Sequence, residues 1–95
     1  MAEEDSVTHN ENKFTLTDPT ISRNPAFLEY SVNKDILDMV HTFVPLAMRG
    51  RGVAGVLVRN GLKFAARKNL RVRTSCWYAE EYVKKNGSFG TKIVK

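Results

Sequence analysis

The stretch that most constrains this chain runs from residue 36 to residue 74. Ile36–Val44 (ILDMVHTFV) is mostly apolar and long enough to be a central strand. Pro45 stops it. The loop Arg49-Gly50-Arg51-Gly52 follows, with almost no side chain except positive charge. From Val53 to Lys68 the spacing becomes helical. Ala54, Leu57, Val58, Gly61, Leu62 and Ala65 form an apolar stripe, and Arg59, Lys63 and Arg67 recur four apart on another face. Leu70–Thr74 (LRVRT) alternates and reads as a strand. A strand, a helix and a strand in that order close as a right-handed crossover, which makes the two strands parallel neighbours.

The flanking segments complete the pattern. Lys13–Thr17 alternates and reads as a short strand; Asp18–Pro25, with two prolines, reads as a loop. Ala26–Val32 puts Phe27, Glu29 and Ser31 on one face and Leu28, Tyr30 and Val32 on the other. Asn33-Lys34-Asp35 is a hairpin connection to Ile36. A second helix over Cys76–Lys85 ends at Asn86-Gly87, and Thr91–Val94 supplies an edge strand. The order β-β-β-α-β-α-β predicts an α/β chain with a mixed sheet: an antiparallel meander, then the β-α-β crossover and a second helix, with helices on the sheet's faces. Residues 1–12 lack apolar content and read as a disordered acidic tail; residues 13–95 read as a single domain.

Charge is segregated along the chain. Glu3, Glu4, Asp5 and Glu11 precede the first basic residue, Lys13, although the chain as a whole carries +5. No acid lies between Asp38 and Glu80, a window holding Arg49, Arg51, Arg59, Lys63, Arg67, Lys68, Arg71 and Arg73. Such a field attracts an anion: a nucleic acid, an anionic membrane or a phosphorylated cofactor. No apolar run approaches the ~18 residues of a membrane span. The acidic start fits neither a secretory signal nor a mitochondrial presequence, so cytosol or nucleus is the expected compartment. A single cysteine excludes an internal disulfide.

A long strand, a glycine loop and a helix N-terminus make a recurring anion site. Successive backbone N–H groups converge there, and the helix dipole adds positive potential. Gly50 and Gly52 allow a ligand to approach closely, and Arg49 and Arg51 can add charge-assisted bonds. No Gly-Lys-Ser/Thr follows, so this is not a Walker A loop. G-x-G-x-x-G is absent too, so it is not the dinucleotide fingerprint. On spacing alone, a basic surface turn leading into a helix fits equally well.

Arg49-Gly50-Arg51-Gly52-Val53-Ala54 reads as R-x-x-G-x-A, and that motif resembles the coenzyme A pyrophosphate loop of the GNAT superfamily of N-acetyltransferases. HTFVPLAMRGRGVAGVLV and AARKNLRVRTSCWYAEEYV are similar to its small single-domain members, the N-acetyltransferase domain-containing protein 1 type. The resemblance runs from about Ala26 to Val83. It implies that the strand before the loop splays from its parallel neighbour, and that the backbone of His41, Thr42, Phe43 and Val44 pairs with the pantetheine arm. The amides from Arg49, Gly50, Arg51, Gly52, Val53, Ala54 and Gly55 would hold the pyrophosphate. The acetyl thioester of acetyl-coenzyme A, the co-substrate, would lie near Cys76 and Tyr78. Larger members carry two helices between their first two strands that help bind the acceptor. Only Asp18–Pro25 is available here, which implies an open acceptor site or one completed by a protein partner.

Three side chains are candidates for the chemistry. Cys76 follows Ser75, a candidate helix N-cap, and is either an acyl-accepting nucleophile or a wall of the thioester cleft. Tyr78 is either the proton donor to the departing thiolate, as a tyrosine near this point is in several GNAT enzymes, or a packing residue with Trp77 and Tyr82. His41 is a general base or an ordinary strand histidine. Two scattered histidines and one cysteine supply no metal constellation. The expected function is transfer of acetyl from acetyl-coenzyme A to an amine, on a small molecule, a protein lysine or an N-terminus. The alternatives are a coenzyme A-binding protein with little catalysis, and a nucleic-acid module. The last lacks aromatic–basic interleaving and any helix-turn-helix signal.

Overall fold

The computed structural model describes residues 7–94. Six strands form one sheet whose spatial order follows the chain: β1 (Val7–Asn10), β2 (Lys13–Leu16), β3 (Ala26–Asn33), β4 (Ile36–Phe43), β5 (Arg71–Thr74) and β6 (Ile93–Val94). The first four pair antiparallel; β4–β5 and β5–β6 pair parallel. Helix α1 (Val53–Arg67) links β4 to β5, and α2 (Trp77–Asn86) links β5 to β6. The meander, the crossover and the parallel neighbours stand where the sequence puts them.

Alternation decides which face is buried. Phe14 and Leu16, then Ala26, Leu28 and Tyr30, then Leu37 and Met39, then Val72 form the sheet's contribution to the core. Leu57, Val58, Leu62 and Ala65 of α1 cover them, and Ala79 of α2 adds to the same core. Val53 and Val56 are buried as well, whereas Ala54, assigned to the stripe, is only half-buried. Gly61 lets α1 lie close to the sheet, since a Cβ there would come within 2.8 Å of Met39 Cε and 3.2 Å of Leu28 Cδ2.

Helices on both faces were expected, and both lie on one. Two right-handed crossovers that step the same way across a sheet put their helices on the same side. The other face, with Lys13, Phe27, Glu29, His41 and Phe43, carries neither helix. The Phe27 ring lies between Phe43 (centroids 5.5 Å) and His41 (5.7 Å), with Lys13 Nζ 4.5 Å from its centroid.

The N-terminal tail also differs. Val7–Asn10, expected to be disordered, forms a strand on the edge of the sheet. His9 supplies the missing contact: its ring stacks on Phe14 (centroids 4.0 Å) and meets Phe64 edge-on (4.6 Å). Its Nε2 hydrogen-bonds the Tyr30 hydroxyl, which donates to the Glu11 carbonyl at 2.8 Å. The expectation of disorder for residues 1–6 lies outside the described residues.

Candidate functional site

The site begins with a parting of two strands. The β4–β5 ladder runs from Ile36↔Arg71 to Met39↔Thr74 and ends there, while β4 continues to Phe43. The Cys76 amide makes the last tie, donating to the Met39 carbonyl at 2.9 Å. Beyond it the chain of β5 turns into α2, and the β5 side of β4 is left open.

A bulge sets which side chains face the opening. Between Glu29 and Tyr30 the β3–β4 register shifts, so Tyr30 faces Met39 while Glu29 faces His41. Val40 is the extra residue. Alternation thereby changes phase: Thr42, opposite Leu28, faces the helices, and His41 goes to the bare face beside Phe27. The structure turns the His41 side chain away from the cleft, so it does not stand there as a base, while its backbone lies on the stretch of β4 beyond the ladder.

The loop follows. Pro45 starts a 3-10 turn, Leu46–Met48, that drops Met48 into the core and leaves Leu46 exposed. Arg49 Nε donates back to the Val44 carbonyl at 3.0 Å, so this arginine braces the loop across its mouth. Gly50 (φ +81°) and Gly52 (φ +75°) both take the left-handed conformation, and a Cβ at either would meet nothing within 4 Å. These positions are glycine for backbone reasons, and the space beside them is open. Gly52 caps α1 without a side chain, and no acid lies in the helix's first turn. The first-turn N–H groups therefore have no intrahelical partner, and the positive end of the helix dipole is unneutralised by its own residues.

Thr42, Phe43, Val44, Met48, Arg49, Gly50, Gly52, Val53, Ala54 and Tyr78 enclose one cavity of about 440 Å³. Most of the sequence-assigned binding residues meet there. Arg51 is exposed outside the lining, and Gly55 lies behind it with its missing side chain against Tyr82. Met48 was not foreseen; an apolar residue one place before the arginine of the loop is its only sequence signal.

Two of the three chemical candidates border the opening. Cys76 Sγ donates to Thr42 Oγ1 at 3.3 Å, across the parted strands. Cys76 is itself the N-cap of α2, without a side-chain cap bond; Ser75, expected in that place, donates its amide to Asp38 Oδ1 at 3.4 Å. Arg71 of β5 makes two 2.9 Å bonds to Asp35. Tyr78 lines the cavity, and its phenol is raised above the ordinary value by burial and then by Tyr82. Trp77, grouped with it as a packing residue, is 72% exposed. Among the described residues no group of three or more histidine, cysteine or carboxylate side chains could hold a metal, and no helix is long and apolar enough to cross a membrane.

The geometry is matched by comparison with known proteins. Residues 13–92 match the family described as GCN5-related N-acetyl-transferase. Protein NATD1 of Homo sapiens is 46% identical over 55 residues, or 58% of this chain and 49% of the human protein. Protein NATD1 of Danio rerio is 38% identical over 66 residues, or 68% of this chain and 60% of the fish protein. The chain spans about half the length of the curated relatives it matches. The solution structure of a GCN5-like protein from Staphylococcus aureus has a TM-score of 0.66 at 24% identity, covering 93% of this chain and 86% of that one; it speaks for the fold. With the family matched across the sheet, the loop and both helices, this chain belongs to the GCN5-related N-acetyl-transferases.

Proposed function

We propose that this chain transfers an acetyl group from acetyl-coenzyme A directly to a primary amine. One observation carries the reading: the open side of β4, the two left-handed glycines and the Tyr78 phenol border the same cavity. The open volume beside Gly50 and Gly52 fits a diphosphate against backbone amides. The free edge of β4 fits an amide-bearing arm that adds to it as a strand would.

In this reading the co-substrate supplies an acyl group on a sulfur leaving group. The chain's residues supply position and one proton. The amides of Gly52, Val53 and Ala54 hold the diphosphate, and Arg49 keeps the loop closed behind it. A neutral amine attacks the acyl carbon, the C–N bond forms and the C–S bond breaks. The amine loses its proton to solvent, the departing thiolate takes one from Tyr78 Oη, which is protonated at neutral pH, and solvent returns a proton to the phenol. Proximity in the cleft provides much of the rate.

A second reading, coenzyme A binding with little catalysis, is favoured by the bare sheet face. The first two strands, β1 and β2, are joined by Glu11 and Asn12 alone, where larger relatives carry their acceptor helices, so the link expected over Asp18–Pro25 is not the equivalent one. Calorimetry with acetyl-coenzyme A, then turnover on a panel of small amines and peptides, separates the two. Binding without turnover selects the second, and absence of binding overturns both.

A further inference from the structure

Gly55 and Tyr82 have no part in the scheme above, yet they meet at its edge. A Cβ built on Gly55 would stand 3.2 Å from Tyr82 Cε2, 3.6 Å from Tyr82 Cδ2 and 3.7 Å from the Tyr78 hydroxyl oxygen. Gly55 has an ordinary helical backbone, so nothing in its own conformation calls for glycine. Its use is space: the first turn of α1 is left without a side chain where the tyrosines of α2 come against it. Tyr78 and Tyr82 are four apart on α2 and share the face turned to α1.

We propose that Tyr82, seated on the bare first turn at Gly55, is the positioning residue that holds the Tyr78 hydroxyl in the cleft. The inference rests on Tyr78 being the proton donor of the proposed reaction. A methyl at residue 55 would require the Tyr82 ring to give by a few tenths of an ångström, one turn from Tyr78 on the same face of α2. The ionisable groups around the phenol are Arg49 of the loop, Cys76 at the head of α2 and Tyr82; β4 turns Thr42 toward it and His41 away.

The test uses Gly55→Ala, Tyr82→Leu, Tyr82→Phe and the double variant Gly55→Ala/Tyr82→Leu. Alanine favours a helix over glycine, so Gly55→Ala is expected to fold. Coenzyme A affinity is read by calorimetry, turnover by its pH profile, and the phenol by ultraviolet titration against a Tyr78→Phe control. Gly55→Ala should leave coenzyme A affinity within about twofold and lower kcat by about tenfold or more, the scale of a misplaced catalytic group. It should also shift the Tyr78 titration. Tyr82→Leu should do the same; Tyr82→Phe, which keeps the ring, should leave kcat and affinity unchanged and move the Tyr78 titration only downward, by loss of the neighbouring phenol's charge. Adding Gly55→Ala to Tyr82→Leu should cost little more. If Gly55→Ala instead weakens coenzyme A binding in step with activity, or the two changes simply multiply, Gly55 acts through the loop and the inference falls. A protein without turnover whose Tyr78 titration still moves overturns the catalytic reading alone; a titration that stays put overturns the positioning.

Discussion

The Cys76 thiol donates to the Thr42 hydroxyl at 3.3 Å across the gap where β4 and β5 part. The bond occupies the thiol, and in the proposed reaction the cleft brings amine and thioester together without it. Cys76→Ser and Cys76→Ala are expected to keep coenzyme A binding and lose activity only in part. Intact-protein mass spectrometry after incubation with acetyl-coenzyme A should find no adduct. A stoichiometric acetyl group on Cys76, removed by amine at the rate of turnover, would make the thiol the nucleophile.

Gly52→Val should abolish coenzyme A binding while circular dichroism is unchanged. The space for the side chain exists, so the fold loses only the roughly 1–2 kcal/mol of a left-handed non-glycine residue. A β-branched group would nonetheless stand where a diphosphate would. Undiminished affinity by calorimetry would remove the loop assignment.

The two arginines of the loop should differ. Arg49→Ala loses the bond to the Val44 carbonyl and should weaken coenzyme A binding by about 1–3 kcal/mol, the range for charge-assisted bonds. Arg51→Ala, outside the lining, should cost less. Arg49→Lys should not restore the loss, because an ammonium cannot bond the carbonyl through one nitrogen and reach the ligand with others. Equal losses at 49 and 51 would show that only net charge matters.

The His9 imidazole is held below its ordinary pKa, first by burial and then by Arg67. A depressed folded pKa gives stability that is present above the unfolded value of about 6.5 and lost as pH falls through the folded one. The ring is largely exposed, so screening limits the loss to about 0.5 kcal/mol or less. Denaturant titrations at pH 7.5 and pH 5 should show it in the native chain and not in His9→Phe.

Tyr78→Phe should lower kcat by roughly 10²-fold, within the range for a lost general acid. A phenol is protonated through neutral pH, and because burial and then Tyr82 raise this one, the donor form is lost only as pH rises above about 10. The native profile should fall there, and the variant's should not. A profile unchanged by the substitution would leave Tyr78 a wall residue.

Much of this architecture was legible because alternation and helical spacing report burial directly. Ala26–Val32, Val53–Lys68 and the parallel crossover fall within a residue or two of the observed elements. Val7–Asn10 was hidden because its core contact is an imidazole on an aromatic ring, which no apolar count registers. The direction of the His41 side chain was not legible for a different reason. Ile36–Val44 is apolar enough to suit either phase of alternation, and the phase change is made by the bulge opposite Glu29 and Tyr30. Gly55 and Gly61 look like any helical glycines in sequence; their reasons are Tyr82 and Met39, far along the chain.

The sheet lists its strands in the order in which they occur in the chain. Its first four strands close through short links, while β5 must wait for the whole of α1. Closing the shorter loops costs less entropy, so the meander is expected to assemble first and the two parallel pairings after it. The cleft is the gap beside the β4–β5 pair. Its protection against hydrogen exchange should therefore be the weakest in the sheet without ligand and should gain most from coenzyme A, so that the substrate completes the folding of the site that binds it.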